Sequence, residues 1–309
     1  MTSPDRRLRV AILGSGNIGS DLLSKVMTSD LLECTLFIGR NLTSKGMVRA
    51  VSMGIPVSDK SIEALVADPD ICDLVFDATS ALSHTRHAAI LKEMGRSVID
   101  LTPSNLGRMC VPAVNLDDCL TEQNVNMVTC GGQGSIPLAK VISEVCGGVR
   151  YIETISQIAS RSAGPATRVN IDEYIGTTER GIREFTGCPR TKAILNLNPA
   201  HPPVNMQVTV LALVDEPDLD RLVPAIDDMV ERIQAYVPGY RVIVPPILEN
   251  GRLAMMVGVR GRGDYLPAYA GNLDIINCAA IAVAEGHARL LGERSASAPS
   301  DPGAEGGIA

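Results

Sequence analysis

The first half of the chain alternates short apolar runs with segments of helical period. Leu8 to Leu13 is apolar, GSGNIG follows from Gly14 to Gly19, and DLLSKVMTS then carries apolar residues at helical spacing. That order predicts strand, tight turn and helix. A second apolar run, CTLFIG from Cys34 to Gly39, ends where a dinucleotide-binding βαβ unit closes its second strand. DLVFDAT (Asp73 to Thr79) predicts a third strand, a helix is expected around His84 to Met94, and SVIDLT (Ser97 to Thr102) predicts a strand beyond Gly95. Strands joined by helices imply a parallel sheet. NVNMVT is the next expected strand, with Cys130 at its C-terminal end. GGQGS reads as a loop before a helix from Ile136 to Val145.

Beyond Gly147-Gly148 the pattern changes. YIETISQIAS alternates, TERGIREF has helical period, and KAILNLN, NMQVTVLALV and YRVIVPP are β-rich, with a helix expected from Leu219 to Val237. This predicts a second, more open sheet with helices on one face. Gly271 to Glu293 reads as a long apolar helix that closes the chain against the first lobe. Its Ala279, Ala280, Ala282 and Ala284 form a packing face, either within the chain or between chains. The tail, rich in Ser, Ala, Pro and Gly, is expected to be disordered. The fold class is therefore α/β: a Rossmann-type dinucleotide-binding domain of residues 1–130 with 271–293, an α+β domain of residues 131–270, and a tail of 294–309.

Length and composition agree with two lobes. The 309 residues exceed the roughly 250 to 300 at which a single core stops growing. Aromatics make up 3% and Trp is absent, so the core must come from Leu, Ile, Val, Ala and Met, which suits a sheet covered by helices. A net charge of -7 opposes a polyanionic partner, so nucleic-acid binding is not expected. Eight cysteines without a C-x-x-C pair and four histidines predict neither a metal site nor a disulfide framework. The N-terminus runs straight into a strand, and no stretch approaches about 18 apolar residues. Neither a signal peptide nor a membrane span is expected, and the cytoplasm is the default location.

In G-x-G-x-x-G, Gly14 permits the tight turn, Gly16 lets a pyrophosphate approach the backbone, and Gly19 lets helix pack on strand. The helix N-terminus then offers free amides to phosphate. The second strand ends in Gly39-Arg40-Asn41 instead of the usual acid that binds the ribose hydroxyls. Arg40 suits a phosphate on the adenosine ribose, as in NADP or the 3′-phosphate of coenzyme A, or a solvated loop, so NAD and NADP both stay open.

Of the cysteines, Cys130 alone precedes a glycine-rich segment and a helix, so its sulfur is expected to face backbone donors and a helix dipole that lower a thiol pKa. Cys34, Cys72, Cys146 and Cys278 read as small buried residues. A thiolate beside a nicotinamide adds to an aldehyde to give a hemithioacetal, whose oxyanion the Cys130 or Gly131–Gly132 amides would stabilise. Hydride loss leaves a thioester, matched in energy to transfer onto another thiol.

GSGNIG, the TCGGQ box, SAGPATRVN (Ser162 to Asn170), NPAHPP (Asn198 to Pro203) and YLPAYAGNLDI (Tyr265 to Ile275) together resemble the acylating acetaldehyde dehydrogenases of meta-cleavage catabolic pathways, from Arg9 to Leu291. The resemblance implies a fold like aspartate-semialdehyde dehydrogenase, with residues 131–270 serving catalysis and dimerisation. It implies NAD as cofactor and coenzyme A as co-substrate. It implies a 4-hydroxy-2-oxovalerate aldolase partner, with a homodimer of this chain inside a heterotetramer and the aldehyde channelled between the enzymes. Carried over by position, Cys130 is the acyl-thioester nucleophile, and Ser15, Gly16, Asn17 and Ile18 contact the cofactor phosphates. Ser162, Ala163, Gly164, Pro165, Ala166, Thr167, Arg168, Val169 and Asn170, with Asn272, complete the cofactor pocket. Asn170 and Leu195 match positions lining the acyl pocket. Read from the residues alone, Ala163-Gly164-Pro165 is a bend between strand and helix whose amides face an anion or a carbonyl oxygen, or a mere turn.

One departure stands out. The family often has Met-Arg-Asp-Thr after the Pro-Pro pair, with the Asp implicated in catalysis, whereas this chain reads Met206-Gln207-Val208-Thr209. Val208 is no base, so activation of Cys130 falls to the helix dipole, to water or to His201, itself otherwise an exposed loop histidine. Two other readings compete: a semialdehyde or phosphorylating dehydrogenase of the same fold, and a nucleotide-binding partner that chiefly stabilises an aldolase.

Overall fold

The computed structural model describes residues 7–297. Strands β1 (Leu8–Leu13), β2 (Leu32–Ile38), β3 (Val57–Ser58), β4 (Leu74–Asp77), β5 (Ser97–Asp100), β6 (Arg108–Met109) and β7 (Asn124–Asn126) form one parallel sheet in the order β3-β2-β1-β4-β5-β7-β6. β1 and β4 are neighbours, and the chain winds outward from them in both directions. This is the Rossmann-like switch point, where a crevice opens beyond the carboxyl ends of the strands. Helices α1 (Asn17–Val26), α2 (Lys45–Ser52), α3 (Glu63–Ala67), α4 (Ala81–Glu93) and α5 (Pro112–Cys119) connect the strands. β1 is buried along nearly its whole length, as a central strand covered on both faces must be.

The second half begins with α6 (Cys130–Val145) and β8 (Tyr151–Ala159), then α7 (Pro165–Val169), α8 (Ile171–Thr186), β9 (Thr191–Asn198) and β10 (Met206–Leu213). Helix α9 (Leu219–Gln234), β11 (Tyr240–Glu249) and β12 (Arg252–Val259) follow, and α10 (Gly271–Ser297) ends the described chain. The second sheet has the order β11-β12-β10-β8-β9 and is antiparallel except between β8 and β9. Alternate residues of β10 are buried, and Val208 and Val210 face a core shared with Ile136 and Ile142 of α6, Ile182 of α8 and Ile226 of α9. One face is thus covered by helices, as the alternation in NMQVTVLALV predicts.

The long C-terminal helix closes the chain on the first sheet. Ile276, Ala279, Ala280, Val283 and Ala284 are buried with Val10, Ile12, Leu22 and Leu23, so three of the four alanines pack within the chain, whereas Ala282 is half-buried outside that cluster. Small side chains bring α10 close enough for Asn277 Nδ2 to donate to Ile18 O at 3.2 Å and to Asp21 Oδ2 at 2.8 Å. The buried Lys25 ammonium completes the seam, 2.7 Å from Asp274, 3.0 Å from Asp21 and 3.1 Å from Asp264. Burial works against its charge, but Cys278 and the carboxylates of Asp21 and Asp274 outweigh it and raise its pKa.

Two expectations need correction. Cys130 does not sit at the end of a strand: β7 stops at Asn126, and Cys130 is the first residue of α6. The positions after it are helical, and they are glycine because neighbours leave no room for a side chain. A Cβ at Gly132 would meet Val128 at 2.8 Å, and one at Gly134 would meet Val208 at 3.0 Å. Second, α10 continues through the start of the expected tail to Ser297, and the rest of that tail lies outside the described residues. Among the described residues no helix is long and apolar enough to cross a membrane.

Candidate active site

The glycine-rich turn divides its labour as the motif requires. Gly14 has φ +120, and a Cβ there would lie 2.5 Å from Ala78 O, against the neighbouring strand end. A Cβ on Gly19 would lie 1.8 Å from Gly14 O. Gly16 differs: it is exposed, and no protein atom lies within 4 Å of where its Cβ would be. No side chain caps α1, whose N-cap is Gly16, so its first amides face open space. That empty cradle beside uncapped amides fits a pyrophosphate.

The ends of β4 and β5 build the cleft floor. Asp77 ends β4 and accepts from Thr79 N at 3.1 Å and from Thr79 Oγ1 at 2.5 Å. Asp100 ends β5 and accepts from Thr102 N at 2.7 Å, from Ser104 Oγ at 2.5 Å and from Asn126 Nδ2 at 2.8 Å. Both carboxylates are fully buried. Burial disfavours ionised Asp77, but hydrogen bonds from His84 (2.9 Å) and His87 (2.8 Å) prevail and hold it at about 2. For Asp100 burial wins over His84, Ser104 and Thr102, and its carboxyl is pushed up to about 6. Burial lowers the His84 pKa, and Asp77 and Asp100 more than reverse it, leaving it raised. None of this network was recognised in the sequence. Its signal was an Asp closing two apolar strands two residues before a Thr, in VFDAT and VIDLT.

Above that floor lies a cleft with about 690 Å³ of free space, its mouth included. Ile18 lines it from α1, Thr79 and Ser80 from beyond β4, and Thr102 and Pro103 from beyond β5. Cys130 enters from α6, Thr167 and Asn170 from the far side, and Asn272, Leu273 and Ile276 from α10. Asn272 is buried, yet its Oδ1 has no hydrogen-bond partner. An orphaned buried acceptor marks a place for a ligand donor such as a carboxamide.

Cys130 is held by its own helix start. Val128 adopts φ 59, a left-handed conformation that costs a β-branched residue energy, and Asn126 Oδ1 pins it by accepting from its N–H at 2.8 Å. Thr129 then caps α6, accepting from Gly132 N at 2.8 Å. Gly132 is thereby committed, leaving the Cys130 and Gly131 amides beside the sulfur. The expected low thiol pKa does not follow in the free protein. Burial pushes the thiol up to about 11, and the Tyr174 hydroxyl with the Gly131 and Cys130 amides only partly offsets that. The cleft lining offers no cation to do more.

Several sequence-derived positions therefore converge: Ile18, Thr167, Asn170 and Asn272 share the cleft with Cys130. Ser15 is half-buried with its Oγ 3.4 Å from Ser44 Oγ, and Asn17 is exposed. Ser162 is buried and donates to Ala159 O at 2.8 Å, Ala163 is buried, and Gly164 leads into α7, which Pro165 and Ala166 begin. Arg168 donates to Ala163 O and Ser160 O, turning back on the bend, and Val169 is exposed. Leu195 lies on β9 in the second core, and neither it nor the exposed His201 lines the cleft. Arg40 is exposed beyond β2. Tyr174, 3.7 Å from Cys130 Sγ, was missed in the sequence, although it follows Asn170 by one helical turn.

Known proteins share this arrangement of sequence. Residues 130–267 match the family model described as prokaryotic acetaldehyde dehydrogenase, dimerisation. The chain is 55% identical to an acetaldehyde dehydrogenase of Pectobacterium atrosepticum over 92% of this chain and 97% of that one. It is 58% identical to one of Spirochaeta aurantia, with 93% and 97% covered, and 52% identical to one of Burkholderia pseudomallei, with 92% and 96% covered.

Proposed function

Because the chain belongs to the acetaldehyde dehydrogenase family, we propose that it oxidises a short-chain aldehyde, acetaldehyde or propanal, to the acyl-coenzyme A ester through a thioester on Cys130. One observation carries this reading: the half-buried Cys130 thiol stands at the N-terminus of α6, inside the cleft at the switch point of the parallel sheet. NAD is the cofactor, and bound in the cleft it supplies the hydride acceptor and a positive charge. Ser15, Gly16, Asn17 and Ile18 would hold its pyrophosphate in the Gly16 cradle. Asn272 Oδ1 would accept from its carboxamide. Residues 162–170 would wall the cleft opposite α10.

The Cys130 thiolate adds to the aldehyde carbon, and the C=O π pair becomes the oxyanion, facing the Cys130 and Gly131 amides. The hydrogen on that carbon leaves as hydride, the C=O bond re-forms, and the acyl group remains on sulfur. The thiolate of coenzyme A then adds to this thioester and Cys130 departs as thiolate, ready for another aldehyde. Burial holds the resting thiol neutral, and the positive charge of a bound cofactor would favour the thiolate.

The match to a dimerisation region supports a homodimer built on residues 131–270. The resemblance supports a 4-hydroxy-2-oxovalerate aldolase partner in a heterotetramer that channels the aldehyde during aromatic or steroid catabolism in the cytoplasm; co-purification with the aldolase tests it. The activity is tested by NADH formation from acetaldehyde. Turnover should require coenzyme A, and phosphate should not replace it. Turnover sustained by phosphate would instead mark a phosphorylating dehydrogenase of the same fold.

A further inference from the structure

The proposed thioester chemistry needs a group that keeps Cys130 ionised, and the cleft supplies no obvious one. Its lining among the described residues contains no Asp, Glu, His, Lys or Arg. Val208, one strand behind, is apolar and fully buried. Apart from Cys130 itself, the one ionisable side chain in the lining is Tyr174, whose hydroxyl lies 3.7 Å from Cys130 Sγ.

We propose that Tyr174 is a catalytic residue that donates a hydrogen bond to the Cys130 thiolate, taking the place of a general base. The deduction rests on the Cys130 reading above and on how the phenol is held. Gly131 lets it in: a Cβ there would lie 2.1 Å from Tyr174 Oη and 2.4 Å from Ser156 Oγ, so only glycine admits both hydroxyls to the helix start. Among these neutral groups the thiol donates to the Tyr174 oxygen; once Cys130 loses its proton, the phenol is left as the donor and turns its own hydrogen to the sulfur. Ser156 is fixed in β8, paired with Val208 and Leu195 across the sheet.

The helix that carries Tyr174 is fixed to the helix that carries Cys130. One turn after Tyr174, Thr178 Oγ1 lies 2.7 Å from the capping Thr129 Oγ1. One turn further, a Cβ on Gly181 would meet Ile136 at 2.9 Å, so the helices approach as closely as glycine allows. Burial holds the Tyr174 phenol well above its usual range, so it stays protonated and acts as donor. The thiol proton therefore goes to water at the cleft mouth, and Tyr174 stabilises the anion left behind.

Iodoacetamide alkylation of Cys130 in the free protein, followed against pH, tests the assignment. Tyr174→Phe keeps the ring and removes the donor, and should slow alkylation about tenfold at every pH below the midpoint, equivalent to about one pH unit. Ser156→Ala should slow it less, in the same direction. A Tyr174→Phe profile that superimposes on the parent overturns the proposal. Cys130→Ser separates the two readings. Labelling lost in Cys130→Ser but unshifted in Tyr174→Phe overturns the hydrogen bond alone, whereas labelling that persists in Cys130→Ser overturns the nucleophile and this proposal together.

Discussion

The hydroxyls of Thr129 and Thr178 lie 2.7 Å apart in the interior and join the helix that begins at Cys130 to its neighbour. Thr129 Oγ1 already accepts from Gly132 N, and the Thr178 hydroxyl donates to Tyr174 O at 2.7 Å. The Thr129 hydroxyl therefore donates to Thr178, and a single chain of hydrogen bonds runs from the cap of α6 into α8. Thr178→Val keeps the shape and strands the Thr129 donor. We expect a loss of about 1 to 2 kcal/mol in urea unfolding, with slower alkylation of Cys130. Unchanged stability would mean that the chain does not hold the helices together.

The glycines of the first turn divide into one that faces open space and two whose missing side chains the fold requires. Gly16→Ala places its methyl in open space, so the unfolding midpoint should stay put while dinucleotide affinity, read by fluorescence titration with NADH, falls at least tenfold. Gly19→Ala drives a methyl into Gly14 O and should cost more than about 3 kcal/mol or prevent folding. Equal affinity in Gly16→Ala would remove the pyrophosphate from this turn.

Much of this was legible in the chain because period and glycine placement report local structure directly. The turn at Gly14 to Gly19, the helix from Leu219 and the long helix from Gly271 all stand where their patterns put them. The start of α6 was misplaced because Gly131, Gly132 and Gly134 lower helix propensity. Glycine is required there by the close approach of Tyr174, Val128 and Val208, and the first and last of these lie far outside a local sequence window. The short strands β3 and β6 carry no readable period at two residues each. Of the candidate site residues named from the sequence, Ile18, Cys130, Thr167, Asn170 and Asn272 share one cleft. Tyr174, Asp77 and Asp100 went unread because their surroundings depend on burial and on partners from other elements.

The buried carboxylates predict how stability depends on pH. Asp77 is held at about 2, below its ordinary value, so its contribution is complete above about pH 4 and disappears as the pH falls toward 2. Asp77→Asn should cost about 2 kcal/mol near pH 7, and the gap from the parent should narrow as the pH falls from about 4 to about 2. Asp100, raised to about 6, has the opposite sign: its contribution is present at low pH and is lost as the pH rises through about 6. Urea midpoints of both proteins across this range check the signs. Parallel curves would contradict the assignment of Asp77.

Mass spectrometry of the protein mixed with acetaldehyde and NAD, without coenzyme A, reads out whether Cys130 carries an acyl group. One acetyl increment is expected on the peptide containing Cys130, formed with a burst of NADH. Addition of coenzyme A should discharge it as acetyl-coenzyme A, and Cys130→Ser should abolish it. NADH formation with no increment on that peptide, or an increment that persists in Cys130→Ser, would contradict an acyl group carried on Cys130.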